Sequence, residues 1–315
     1  MIGRSEPDNS TISPIAGSFL LEWDQRPGGE TKVTLPSSVL KMRFLQERQL
    51  AHNQSTRHNW ESFKGHRERI MNLIQRSQKV GGGKIAVLGA GNCNDLDLKE
   101  LASSFQEIHL FDLDRESMAD AVARQCARGA SKIQLHDEID LSGRTRRTAS
   151  SWPEQESEEK GTDEKPEFDL VISTCVLSQI METVGRLSLD DLAERELMLQ
   201  VRDRHLGLMS ELVAPGGAGV VVTDMSSSGC APDLSECPEA NTSDLMRSLI
   251  RTGSCFTGLS PGSVSRALEQ TATIAGRIKD PELTRPWLWQ LDEARRFLVY
   301  ALSFTKSGDQ LGHDF

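Results

Sequence analysis

Short apolar runs alternate with helix-spaced apolar positions along most of the chain. The runs at 85–88, 108–111, 133–136, 170–173 and 219–223 read as strands. Between them lie helical patterns such as RESMADAVARQCARGA, which puts Met118, Ala121, Val122, Gln125 and Cys126 on adjoining turns. Strands alternating with helices imply right-handed βαβ crossovers and a parallel sheet covered on both faces. The end of the chain breaks this rhythm. PWLWQL and FLVYALSFTK are joined only by DEARR, too short for a crossover helix, so they are expected to pair antiparallel at a sheet edge. The predicted fold is α/β: a doubly wound, mostly parallel seven-stranded sheet with a C-terminal antiparallel hairpin, an N-terminal helical extension and a helical cap insertion.

The flanks and insertions follow from the same pattern. Residues 1–36 lack periodicity and are expected to form a flexible tail. The 37–80 segment turns helical, with Leu45, Leu50, Trp60, Phe63, Ile70 and Ile74 at roughly helical intervals, and is expected to be a helical lid. GGG at 81–83 ends it, and 81–315 carries the sheet. Two insertions interrupt that domain. The 144–167 stretch is polar and of low complexity, and reads as a disordered acidic loop. The 225–285 stretch follows the fifth strand, carries helical patches of its own, and is expected to cap the substrate side.

Charge and cysteine content narrow the setting. The formal charge of −10 argues against a nucleic-acid surface, which needs clustered Lys and Arg. Half of it is local, since 154–167 holds seven acids and two lysines. Six cysteines include no C-x-x-C pair, no signal-like start precedes them, and no apolar run approaches transmembrane length. A reducing, cytoplasmic protein without a disulfide framework or membrane partner is expected. The sequence sets no oligomeric state.

The chemistry is written around KIAVLGAGNCNDLDL at 84–98, a strand, a Gly-containing loop and the start of a helix. A dinucleotide fold asks for G-x-G-x-x-G, with the pyrophosphate on free N–H groups. Here Gly89 and Gly91 fill two places and Asn94 the third. Asp95 and Asp97, expected in the first helical turn, already compensate the dipole and would repel a dianion. Acids there suit S-adenosylmethionine, a cofactor with an ammonium, a sulfonium and no phosphate. Asp112 ends the second strand 23 residues after Gly89, where an acid meets ribose hydroxyls in either class of cofactor. Its neighbour Asp114 is expected to cap the next helix.

VLGAGNCNDLDL, LFDLD, IQLHDEIDLSG, FDLVISTCVLSQI and LVAPGGAGVVVTD, taken in order with the final hairpin, resemble the successive motifs of the class I, Rossmann-like S-adenosylmethionine-dependent methyltransferases. The resemblance covers 81–224 and 287–306. It implies that Gly89 and Gly91 face the methionine moiety, that Asp112, followed by Leu113, takes the ribose, and that Asp140 and Leu141 border the adenine. Ser173 and Thr174 would line the floor beside the sulfonium. The family often carries an acid two residues before the first Gly, where this chain has Val87. The amino-acid end must then be anchored elsewhere, with Asp95 or the N-terminal helix as candidates. The Asn/Asp-Pro-Pro-aromatic signature that nucleic-acid and protein amide methylating members often carry does not follow the fourth strand, and the segment resembles the small-molecule branch instead.

Methyl transfer is an in-line displacement in which alignment does most of the work, so no dedicated triad is required, and none is visible. Gln179 is a candidate acceptor contact or a helix-start residue. Trp60, His66 and Arg67 either close the site or belong to an amphipathic brace. Cys175 and His205 read as packed interior groups. His52, His58 and His66 lack the i, i+4 spacing of metal ligands, and Cys230, Cys237 and Cys255 have no clustered partner, so no metal is expected. The acceptor, a small molecule, would enter between the N-terminal helix and the 225–285 insertion. Three rivals stay open: a non-catalytic member serving as a binding module, an NAD(P)-dependent oxidoreductase, and an aminopropyl transferase. The last lacks paired acids after the fourth strand.

Overall fold

In the computed structural model, residues 50–78, 82–137, 141, 167–185, 189–270 and 278–308 are described. The expected strands all form: β1 (Lys84–Leu88), β2 (Glu107–Phe111), β3 (Ile133–His136), β4 (Phe168–Thr174) and β5 (Val213–Ser227). Together with β6 (Ile278–Leu283), β7 (Trp287–Gln290) and β8 (Arg296–Lys306) they make one sheet of order β3-β2-β1-β4-β5-β8-β6, and β7 also pairs β8. The first five strands run parallel, while β8 is antiparallel to β5 and to both β6 and β7. This is the doubly wound, mostly parallel α/β architecture with a closing hairpin.

Among the described residues the sheet has eight strands rather than seven. The additional one, β6, reads IKDPEL, and its burial shows no alternation. Asp280, at φ +54, and Pro281 interrupt its ladder between Lys279 and Glu282, so no period-2 signal announces it. Strand β5 runs well beyond 219–223, because its second half continues along β8 to the Ser227–Phe297 pair.

Alternation along the strands builds two cores. Leu88, Phe111, Val171 and Val221 face helices α4 (Val176–Val184) and α5 (Asp191–Leu212), where Leu177, Met181, Leu206 and Met209 meet them. One residue out of phase, Val87, Leu110, Ile172 and Val222 face α1 (Lys64–Ser77), α2 (Leu98–Ser104) and α3 (Arg115–Gln125). Helix α1 buries His66, Arg67, Ile70, Met71 and Ile74 on one side.

The expected helix through 37–80 is interrupted. Residues 50–56 are helical, 57–63 form turns, and α1 follows. The carbonyls that would continue the helix are taken by side chains instead. Asn94 donates to Thr56 O, Arg124 to Arg57 O and Arg67 to Trp60 O. Within 225–285, helix α6 (Thr242–Thr252) joins the same core through Leu249, and α7 (Pro261–Gln270) packs beside α5 and β8. Arg202 of α5 donates to Gly258 O and Ser263 Oγ, and Tyr300 Oη of β8 donates to Leu259 O. Among the described residues, no helix is long and apolar enough to cross a membrane, and no group of His, Cys, Asp and Glu could hold a metal ion.

Candidate active site

The C-terminal ends of β1 and β4 meet at a cleft walled by the 50–63 segment. Its floor is the loop after β1. Gly89 has φ +80 and Gly91 φ +46, in the left-handed region that glycine adopts without strain. A Cβ on Gly89 would lie 2.9 Å from Val176 Cβ, and one on Gly91 would lie 2.9 Å from Asn53 Oδ1. Gly89 and Ala90 donate their N–H groups to Phe111 O, which ties the loop to the end of β2. There Asp112 accepts from Gly91 N (2.9 Å) and Asp114 N (3.0 Å). Asp114 caps α3 by accepting from Ser117 N, as expected.

The helix after the loop starts later than the sequence suggested. Asp97 is its N-cap, accepting from Glu100 N, so Asp95 lies in the preceding turn and not in the helix. Free of a capping duty, Asp95 lines the cleft with Asn94, Thr174, Cys175 and Gln179. Burial pushes its carboxyl up from 3.8 to about 7, against the lowering effect of its own backbone N–H, the Thr174 hydroxyl and the Arg67 charge. Burial likewise raises Asp112 to about 6 and Asp224, at the end of β5, to about 6. Asp224 accepts from Ser178 Oγ at 2.6 Å.

Behind the cleft, polar groups are locked in fixed roles. Trp287 Nε1 donates to His66 Nδ1 at 3.1 Å, so the His66 proton sits on Nε2, which points to Cys175 Sγ at 3.9 Å. Burial drives His66 down to about 3, and the ring stays neutral between Trp287 and Trp289. Cys175, at φ +50, has its thiol raised by burial and by Asp224, which keeps it protonated and a poor nucleophile. On the opposite face of the sheet, His205 Nδ1 donates to Leu141 O (2.9 Å). Its bare Nε2 then accepts from Ser173 Oγ (2.8 Å).

The candidate residues therefore separate. Gly89, Gly91, Thr174 and Gln179 line the cleft, and Asp112 lies next to it, bonded to Gly91. Ser173 and Leu141 are bound to His205, and Leu113 is half-buried outside the lining. Asp140 lies outside the described residues. Trp60 covers Arg67, whose guanidinium carbon is 3.5 Å from the ring centroid and which also donates to Asn94 O at 2.7 Å. These two brace the loop, while His66 supports Trp289 by stacking at 4.3 Å.

Sequence reasoning passed over Asn53, Thr56, Asn92 and Trp289, all of which line the cleft. It also passed over Asp224 as a group of its own. Only Trp289 left a usable signal, because W-x-W in a strand puts both rings on one face. The 225–285 insertion contributes none of the described lining residues.

The donor set fits an S-adenosylmethionine-type ligand. No Lys or Arg is among the described lining residues, so a pyrophosphate would find no cation there. Asn94 is 3% exposed, and its Oδ1 has no hydrogen-bond partner, an orphan acceptor beside Asp95 that suits an incoming N–H.

No family model and no curated protein matches the chain. Solved structures similar to it include the N-methyltransferase NodS from Bradyrhizobium japonicum, at 13% identity and TM-score 0.39, covering 79% of this chain and 98% of that one. An O-methyltransferase family protein from Burkholderia thailandensis has 14% identity and TM-score 0.43, with 84% and 64% covered. A TehB-like SAM-dependent methyltransferase from Corynebacterium glutamicum has 13% identity and TM-score 0.39, with 79% and 97% covered. Likeness at this level carries no argument about activity, which has to come from the cleft itself.

Proposed function

We propose that this protein is a class I, Rossmann-like S-adenosylmethionine-dependent methyltransferase acting on a small-molecule acceptor. One observation carries the reading: the acid at the end of β2, Asp112, is hydrogen-bonded to the second glycine of a loop that brings the carboxyl of Asp95 to the cleft, with no Lys or Arg among the described lining residues. That arrangement favours a ribose and a cation, and disfavours a diphosphate.

The cofactor would supply a methyl carbon already activated on a sulfonium. Asp112 already accepts from Gly91 N and Asp114 N, and its remaining lone pairs would turn to the ribose hydroxyls. Asp95 and Asn94 Oδ1 would hold the amino-acid end, taking the place of the acid that Val87 replaces. Thr174 Oγ1, bonded to Gly89 O at 3.3 Å, fixes the floor between the two strand ends. Gln179, Phe63 and Trp289 complete the lining and would meet the acceptor. With a neutral His66 and a protonated Cys175 nearby, the chain's contribution is chiefly alignment, which alone can supply roughly 7–11 kcal/mol.

Titration calorimetry with S-adenosylhomocysteine tests the reading. Binding to the wild type is expected, weakened about 100-fold in Asp112→Ala through loss of hydrogen bonds to a charged group. No heat with the wild type, or equal affinity in the variant, overturns it. Enhanced NAD(P)H fluorescence on mixing would move the chain to the oxidoreductase class.

A further inference from the structure

Asp112 is 2% exposed, although the proposed function needs its oxygens to meet a ligand. The 50–56 helical stretch reaches both residues whose N–H groups Asp112 accepts. Asn53 Nδ2 donates to Asp114 Oδ2 at 3.0 Å, and Asn53 Oδ1 sits against Gly91, so this one amide spans both neighbours of Asp112.

The segment is held there by the polar residues that stand among the loop glycines. Asn92 Nδ2 donates to Asn53 O (2.6 Å) and Thr56 Oγ1 (3.1 Å), and Asn94 Nδ2 donates to Thr56 O (2.7 Å). From α3, Arg124 spans the joint, with one nitrogen on Arg57 O and the other on Asn92 O, both at 3.2 Å. Arg57 is paired in turn with Asp120. The last carbonyls of a helical stretch have no partner within it. Here the cofactor loop itself supplies their donors.

We infer that Asn92, Asn94 and Arg124 are positioning residues that latch residues 50–57 over Asp112, so that cofactor enters and leaves only when this segment lifts. The inference rests on the reading of the cleft as an S-adenosylmethionine site. It makes the N-C-N of the loop a device for coupling cofactor exchange to the N-terminal segment.

The test uses the full chain and S-adenosylhomocysteine, followed by stopped-flow tryptophan fluorescence and by hydrogen exchange of the 50–57 amides. In Asn53→Ala and Arg124→Ala, association and dissociation are both expected to quicken about tenfold, because each variant loses one or two hydrogen bonds of the closed form. The dissociation constant should move less than either rate, and the 50–57 amides should lose protection. A merely structural role would leave the rates alone. Wild-type binding with unchanged rates in both variants overturns the latch and leaves the cofactor reading standing. So does a wild type whose 50–57 amides exchange without protection. Failure of the wild type to bind the ligand overturns both.

Discussion

The rim of the cleft and the closing edge of the sheet are built on opposite terms. At the rim, Cys93 (φ +49) and Cys175 (φ +50) hold the backbone in the left-handed region without being glycine. Three carboxyls, Asp95, Asp112 and Asp224, sit where burial disfavours their charge. At the edge, β8 alternates between the two cores, with Val299 and Ala301 on one side and Leu298, Tyr300 and Phe304 on the other. Its Tyr300 Oη is tied to a carbonyl, while Arg296 Nε and, on β7, Trp289 Nε1 are buried without a hydrogen-bond partner. Departures from local preference at the rim cost stability and leave groups disposed toward a ligand, and the packing of β8 into both cores offsets that cost.

The largest test strikes the edge. Trp287 is 2% exposed and donates to His66, so Trp287→Ala should lose about 3–5 kcal/mol by denaturant unfolding. A loss below about 1 kcal/mol would mean that the edge is not where cohesion resides.

Next comes the charge at the rim. Burial, only partly opposed by the Ser178 hydroxyl, raises Asp224 from 3.8 to about 6. Between those values the folded chain keeps a proton that the unfolded chain has released. The carboxyl therefore costs stability progressively as pH rises through that window. Asp224→Asn, which keeps an acceptor for Ser178, should exceed wild type by on the order of 2 kcal/mol near pH 8 and match it near pH 3.5. Urea titrations at both pH values decide the matter, and equal stability at the higher pH would remove the electrostatic half of the contrast. The smallest effect belongs to the one left-handed non-glycine residue described at the edge. Asp280→Gly should stabilise by about 0.5 kcal/mol, read as a small rise in melting temperature; a fall would mean that the Asp280 side chain is needed there.

The same division decides how far the sequence could be read. The central strands and the closing pair are local patterns, legible from period and length. IKDPEL was not, because a proline and a left-handed residue erase alternation. The break at 57–63 was also hidden, since it depends on donors from Asn94 and Arg124, far along the chain. Gly89, Gly91 and Asp112 could be placed by spacing around one strand and the next. Asn53 against Asp114, or Trp289 beside Phe63, are meetings across 61 residues and more, and no spacing rule connects them. Ser173 and Thr174 are adjacent in sequence, yet the pleat sends one to His205 and the other to the cleft.

The outermost described strand has a further consequence for how the molecule behaves in a crowd. Lys279, Asp280 and Glu282 are exposed along Ile278–Leu283, and Pro281 among them has no N–H to offer. A strand from another copy, arriving to extend the ladder, would meet charge, a bulge and a missing donor in quick succession. The features that hid this strand from the sequence also protect the protein from polymerising along that rim.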